Sequence, residues 1–206
     1  MKLGNAMKEI EAGVAKLEIQ DANVNLPNLL TLGRILLIPV FVLLFSVPTP
    51  ARSIAAAVVF VIAALTDLLD GYLARRRGQI TKVGRLLDPV ADKLLVLSGL
   101  ILLVQFQRVG AAVAILIIAR EVAVTGVRAV AGAEGFVLPV ETTGKYKMTF
   151  QVIAIVMLIL DQALAPPLQD LHVPGTVFLY TALVLGLYSG ARYLVTFWRE
   201  IASRGL

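Results

Sequence analysis

The chain has 206 residues, of which 58% are hydrophobic and 16% charged, with a mean hydropathy of +0.85. A soluble domain carries about 25% charged residues, so the composition excludes an ordinary soluble globule and points to an all-α, polytopic membrane protein. Cysteine is absent and His172 is the single histidine, which excludes disulfides and thiolate metal sites and argues against a histidine triad or a zinc centre.

Residues 1–24 form the first expected unit. Leu3, Met7, Ile10, Val14 and Leu17 repeat at steps of four and three, which places one apolar stripe on a helix. We expect an amphipathic juxtamembrane helix on the cytoplasmic membrane surface. Its four acids and three lysines give little attraction to anionic lipid, so packing on a partner subunit and a poorly ordered tail are the alternatives. No continuous apolar h-region occurs here, so a cleavable signal peptide is not expected.

Residues 25–206 form the second unit. A span needs about 20 mostly apolar residues, and six candidates follow: 28–47, 53–73, 90–107, 110–131, 146–165 and 174–197. Prolines 48, 50, 166, 167 and 174 punctuate several ends. The third candidate is short, so its helix is expected to begin near Gly84. Arg108-Val109-Gly110 joins it tightly to the fourth as a hairpin. With the N-terminus inside, the inner segments hold fourteen Lys and Arg and the outer loops only Arg52 and Arg108. That bias predicts both termini in the cytoplasm. The net charge of +5 would suit nucleic acid, but the positive charges cluster beside apolar runs, so no nucleic-acid partner is expected.

Four aspartates, Asp67, Asp70, Asp88 and Asp92, fall within 26 residues of this apolar chain. Each costs about 2.5–3.5 kcal/mol near the centre of a membrane helix, so each needs a partner. On a helix, Asp67 and Asp70 share a face with Gly71 and Ala74, and Gly84, Asp88 and Asp92 share another. Two such faces brought together make a four-carboxylate site, whose hard oxygen donors suit Mg2+ or Mn2+. A pair of such ions can bridge a pyrophosphate. Gly71, Ala74 and Gly84 leave room for a ligand near the backbone, and Arg75 offers a fork of donors for phosphate oxygens. The plainer alternative is a set of interfacial ion pairs with Arg75, Arg76, Arg77, Arg85 and Lys93. It accounts for some charges but not for four aspartates at helical spacing with glycines between them. Spacing does not separate Asp88 from Asp92 as a general base.

The run Asp67-Leu68-Leu69-Asp70-Gly71-Tyr72-Leu73-Ala74-Arg75, followed by Gly84, Asp88 and Asp92, resembles the signature of the CDP-alcohol phosphotransferases, with every fixed position filled. The resemblance covers the chain from about residue 25 and leaves out the N-terminal helix. It implies a six-helix membrane fold, a homodimer, a site open to the cytoplasm, and transfer of a phosphatidyl or similar group from a CDP-linked donor to an alcohol with release of CMP. By resemblance, Asp67, Asp70 and Asp88 hold two divalent ions. Asp92 completes that site and is the catalytic base. Gly71, Ala74, Arg75 and Gly84, with Asn28 and Thr31, contact the CDP part.

The acceptor rests on other segments. Asn25-Leu26-Pro27-Asn28-Leu29-Leu30-Thr31-Leu32-Gly33-Arg34, Leu87-Asp88-Pro89-Val90-Ala91-Asp92-Lys93, Ile118-Ala119-Arg120-Glu121 and Gly144-Lys145-Tyr146-Lys147 resemble the family members that join CDP-diacylglycerol to sn-glycerol 3-phosphate. Ala129 and Met148 depart from that pattern. A phosphorylated acceptor needs a cationic pocket, and Arg120, inside a span, is the first candidate. Lys145 and Lys147 are placed to close the pocket, or else serve as topological anchors. Arg34, three residues from Thr31 on one face, is a further candidate for the acceptor phosphate, with pairing to the acid cluster as its alternative. Glu121, adjacent to Arg120, points elsewhere on a helix and need not neutralise it. Arg192 is expected to snorkel or pair structurally, and Tyr188 and Tyr193 to pack. Other acceptors (phosphatidylglycerol, inositol phosphate or serine) are alternatives. A cation or lipid transporter is a remote one, since no internal repeat accompanies the acids.

Overall fold

The structure is a computed structural model that describes residues 26–77, 82–136, 138 and 142–204, with side chains described except at 26–28, 67–77, 82–89, 142–143, 145 and 204. The helix expected over residues 1–24 lies outside the described residues.

Six helices and no strand occur among the described residues: α1 (Leu26–Phe45), α2 (Pro50–Arg77), α3 (Lys82–Gln105), α4 (Ala111–Ala133), α5 (Thr142–Leu160) and α6 (His172–Arg204). At 1.5 Å per residue the 20 residues of α1 reach about 30 Å, the thickness of a bilayer's hydrocarbon core. The 33 residues of α6 reach about 50 Å and so exceed it. Helix α3 begins at Lys82, ahead of its apolar run, as the short third segment required.

Arginines close two of the helix ends. The last carbonyls of a helix lack intrahelical donors. Arg52 Nε donates to Leu44 O at 3.1 Å, and its Nη2 donates to Leu43 O, capping α1 from the start of α2. Arg108, in the short link between α3 and α4, donates from Nη1 to Leu158 O at 2.7 Å and to Ile159 O at 3.0 Å, capping α5. Its guanidinium also lies 5.7 Å from the centre of the Phe45 ring. The two cations of the predicted outer loops are therefore held by helix ends.

Helix α1 packs on α2 and α3, α5 pairs with α6 and also meets α2, and α4 leans on α6. The main core draws on all six helices, with Phe41, Phe45, Phe60, Leu100, Leu103, Ile155 and Leu158 fully buried. A second cluster joins α4 to the far half of α6 through Val124, Ala131, Phe136, Tyr193 and Phe197. Tyr193 thus packs, as expected. Large apolar side chains also cover the outside: Leu29, Leu36 and Leu43 on α1, Val58 and Ile62 on α2, and Val177, Val184 and Trp198 on α6 are exposed. Exposed apolar side chains in this number mark a surface that meets lipid or another protein. By length and composition, one helix among the described residues, His172–Ser203, suffices to cross a membrane, and Leu29–Phe45, Pro50–Thr66 and Tyr146–Leu160 are shorter apolar helices.

Candidate active site

The acid cluster is divided between two neighbouring helices. Asp67, Asp70, Gly71, Ala74 and Arg75 stand on α2, and Gly84, Asp88 and Asp92 on α3. Helices α2 and α3 are in contact. Of these residues, only Asp92 has a described side chain, and it lines a cavity of about 180 Å³. That volume is about six water molecules' share of liquid, enough for a small polar acceptor. The donor set, carboxylates at helical spacing on two adjoining helices, fits a divalent metal by its chemistry.

The cavity lies between α3, α4 and α5. Helix α3 contributes Asp92, Lys93 and Val96, α4 contributes Ile117, Ile118 and Glu121, and α5 contributes Gly144, Lys147, Met148 and Gln151. The last four repeat at steps of three and one, so they form a single stripe along α5. The cavity thus joins one aspartate of the acid cluster to a lysine remote from it in sequence.

Behind Lys147 sits a three-residue charge cluster. Glu121 Oε1 accepts from Arg120 Nη1 at 2.9 Å and is also paired with Lys147 Nζ. This corrects the expectation that Glu121 need not neutralise Arg120. Neighbouring residues do point apart on a helix, but both side chains are long enough to curl together where Lys147 supplies a third charge from α5. Arg120 is held further by α6: its Nε donates to Gly186 O at 2.9 Å and its Nη2 to Ser189 Oγ at 3.2 Å. The arginine fits because α6 is cut back there. A Cβ at Gly190 would lie 3.3 Å from Arg120 Cγ, and one at Gly186 would lie 3.4 Å from Lys147 Cδ. A small recess lined by Arg120, Glu121, Lys147, Gln151 and Gly186 adjoins the main cavity. With two cations and one carboxylate, the cluster keeps a net positive charge at the cavity wall.

Other expected site residues stand elsewhere or beyond description. Thr31 and Arg34 are fully buried on α1 and line neither the cavity nor the recess. Asn28 stands on α1 and Lys145 on α5, with side chains outside the description. Arg192 lies 5.9 Å from the centre of the Tyr188 ring, one turn away on α6, a structural pairing as expected. Sequence reasoning missed Gln151, Gly186 and Ser189. A polar residue four positions after Lys147, on the same face of an otherwise apolar helix, was the available signal for Gln151.

Residues 24–188 match the CDP-alcohol phosphatidyltransferase family model, and the chain belongs to that family. Among its curated relatives, the CDP-diacylglycerol–glycerol-3-phosphate 3-phosphatidyltransferase of Pseudomonas fluorescens is 42% identical, covering 88% of this chain and 94% of its own. The enzyme of the same name from Bacillus subtilis (strain 168) is 38% identical, covering 86% of this chain and 97% of its own. Among solved structures, the phosphatidylinositol phosphate synthase of Mycobacterium tuberculosis, in complex with manganese and citrate, superposes with a TM-score of 0.59 over 92% of this chain and 88% of that one. Its sequence is 19% identical, so that likeness bears on the fold.

Proposed function

We propose that this protein transfers the phosphatidyl group of CDP-diacylglycerol to sn-glycerol 3-phosphate, giving phosphatidylglycerophosphate and CMP in phospholipid synthesis. The observation that carries the acceptor assignment is the single cavity lined by both Asp92 and Lys147, with Arg120 in the adjoining recess. Helix α3 offers the Asp92 carboxylate and α5 the Lys147 ammonium, as a hydroxyl at one end of a small molecule and a phosphate at the other would require. The relatives named for this reaction span nearly the whole chain. Serine, an acceptor without a phosphate, would leave Lys147 and Arg120 without a ligand.

In this reading, Asp92 takes the proton from the free primary hydroxyl of glycerol 3-phosphate. The hydroxyl oxygen forms a bond to the phosphorus bearing diacylglycerol. The bond from that phosphorus to the bridging oxygen breaks, and CMP leaves with the electron pair. Lys147 and Arg120 hold the acceptor's phosphate and so aim its far hydroxyl at Asp92. Arg75, Gly71, Ala74, Gly84, Asn28 and Thr31 belong to the CDP side. Asp67, Asp70, Asp88 and Asp92 would hold divalent metal, Mg2+ or Mn2+ and two ions by the carboxylate count, which supplies neutralisation of the diphosphate charge when bound.

The positive-inside bias supports a multi-pass inner-membrane protein of six spans, with both termini and the site on the cytoplasmic side. Residues 1–24 form its surface helix and residues 25–206 its transferase domain, in a homodimer. The purified full chain in detergent, supplied with CDP-diacylglycerol, glycerol 3-phosphate and Mg2+, tests the chemistry through CMP release. Asp92→Asn is expected to lower turnover by a factor of about 10²–10⁴, the usual contribution of a general base. Chelation is expected to abolish wild-type turnover until Mg2+ or Mn2+ is restored. An Asp92→Asn protein with wild-type turnover removes the base, and chelator-resistant turnover removes the metal.

A further inference from the structure

Gln151 is a neutral polar residue of the cavity to which the reaction above gives no role. Its side chain is 97% buried, at 3% exposure, and its Nε2 is buried without a hydrogen-bond partner. It lines both the cavity and the recess beside Lys147. It stands one helical turn further along α5 than Lys147, about 6 Å deeper along the axis. Further along that side of α5, Ala154, Ile155 and Leu158 are fully buried and apolar. A leucine at 151 would extend that core at no desolvation cost, whereas a buried amide donor without an acceptor is costly. A polar side chain kept there, lining a cavity of about 180 Å³, has the character of a group waiting for a partner.

We infer that Gln151 is a specificity-determining residue, its Nε2 donating a hydrogen bond to the spectator hydroxyl of the acceptor, the one on the middle carbon of glycerol 3-phosphate. The inference rests on the acceptor reading above. Charge divides the roles. Lys147 and Arg120 suit the phosphate, Asp92 suits the hydroxyl that loses its proton, and a neutral amide suits a hydroxyl that stays neutral. A site that hydrogen-bonds a substrate hydroxyl rejects the analogue lacking it strongly, because the buried donor is then left unpaired.

The test compares two acceptors with CDP-diacylglycerol: glycerol 3-phosphate, and 3-hydroxypropyl phosphate, which lacks the middle hydroxyl. Wild-type protein is expected to favour glycerol 3-phosphate in kcat/KM by about 10–100-fold. Gln151→Leu is expected to lose that factor with glycerol 3-phosphate while changing the deoxy acceptor by less than about threefold, so the preference collapses. Gln151→Met, unbranched and adaptable, is expected to behave alike. Wild-type protein that uses both acceptors equally well overturns the inference without any variant. An equal loss on both acceptors, or no loss on either, also overturns it by marking Gln151 as structural or idle. Wild-type turnover with serine and none with glycerol 3-phosphate overturns the acceptor reading itself, and the inference with it.

Discussion

At the scale of single residues, Glu121 shows how the cavity holds two cations inside an apolar bundle. Arg120 and Lys147 have side chains about one-tenth exposed, so each gives up most of its hydration. One carboxylate shared between them offsets part of that loss without cancelling the positive charge. Arg120 uses three of its five donors on Glu121, Gly186 and Ser189, so it is fixed in place with two left over, whereas the ammonium of Lys147 stands on the cavity wall itself. Lys147→Met should therefore raise the KM for glycerol 3-phosphate by about 10–100-fold, the worth of one charge-assisted hydrogen bond. The KM for CDP-diacylglycerol should stay nearly unchanged. Initial-rate kinetics in both substrates check this, and an effect confined to the CDP-diacylglycerol KM would move Lys147 out of the acceptor pocket. This residue pair was half legible in the sequence. An arginine in a span announced a polar site, but its bond to the very next residue was not readable, because that bond depends on a lysine 26 positions further on. Gln151 was less legible still, since a lone glutamine acquires meaning only when its neighbours prove to be a cavity on one side and core on the other.

At the scale of helices, α6 serves the site by what it omits. Gly186 and Gly190 are four apart and Ser189 lies between them, so one face of α6 is cut to backbone where Arg120 lies against it. Gly190→Val should push the Arg120 side chain aside, since even a Cβ would sit 3.3 Å from its Cγ. We expect a fall in kcat/KM of about tenfold or more, with helical content unchanged in circular dichroism. Gly126→Ala, on an α4 face with nothing within 4 Å, should leave kcat/KM within about twofold. Equal losses from the two substitutions would mean that helix glycine content, not the notch, matters. Helix existence was well legible, because long apolar runs separated by prolines and charges leave few alternatives. Helix ends were less so. The segment expected over 53–73 continues to Arg77, and the segment expected over 146–165 begins at Thr142 and ends at Leu160. Hydropathy reports where a helix is apolar, but a helix runs on through polar residues until a cap or turn ends it.

At the scale of the whole molecule, a few polar side chains, among them Arg34, Lys147 and Gln151, are buried within an apolar core, and large apolar side chains of α1, α2 and α6 are exposed, a surface suited to lipid. The cavity takes side chains from three successive helices, α3, α4 and α5, between residues 92 and 151. That explains why the acid signature was readable as a linear motif while the acceptor pocket was not. The carboxylates that identify the family fall within 26 residues, whereas Asp92 and Gln151 meet only through folding. Orientation and acceptor choice are claims about the molecule as a unit, and a single measurement addresses both. Sealed inverted vesicles containing the protein, with the cytoplasmic face outward and CDP-diacylglycerol in the lipid, are given glycerol 3-phosphate, serine, inositol phosphate or additional phosphatidylglycerol, and CMP and the lipid product are measured. CMP release is expected with glycerol 3-phosphate, with an equal amount of phosphatidylglycerophosphate, and far less with right-side-out vesicles. CMP release with serine or phosphatidylglycerol but not with glycerol 3-phosphate, or equal activity from both faces, would contradict the proposed acceptor and orientation.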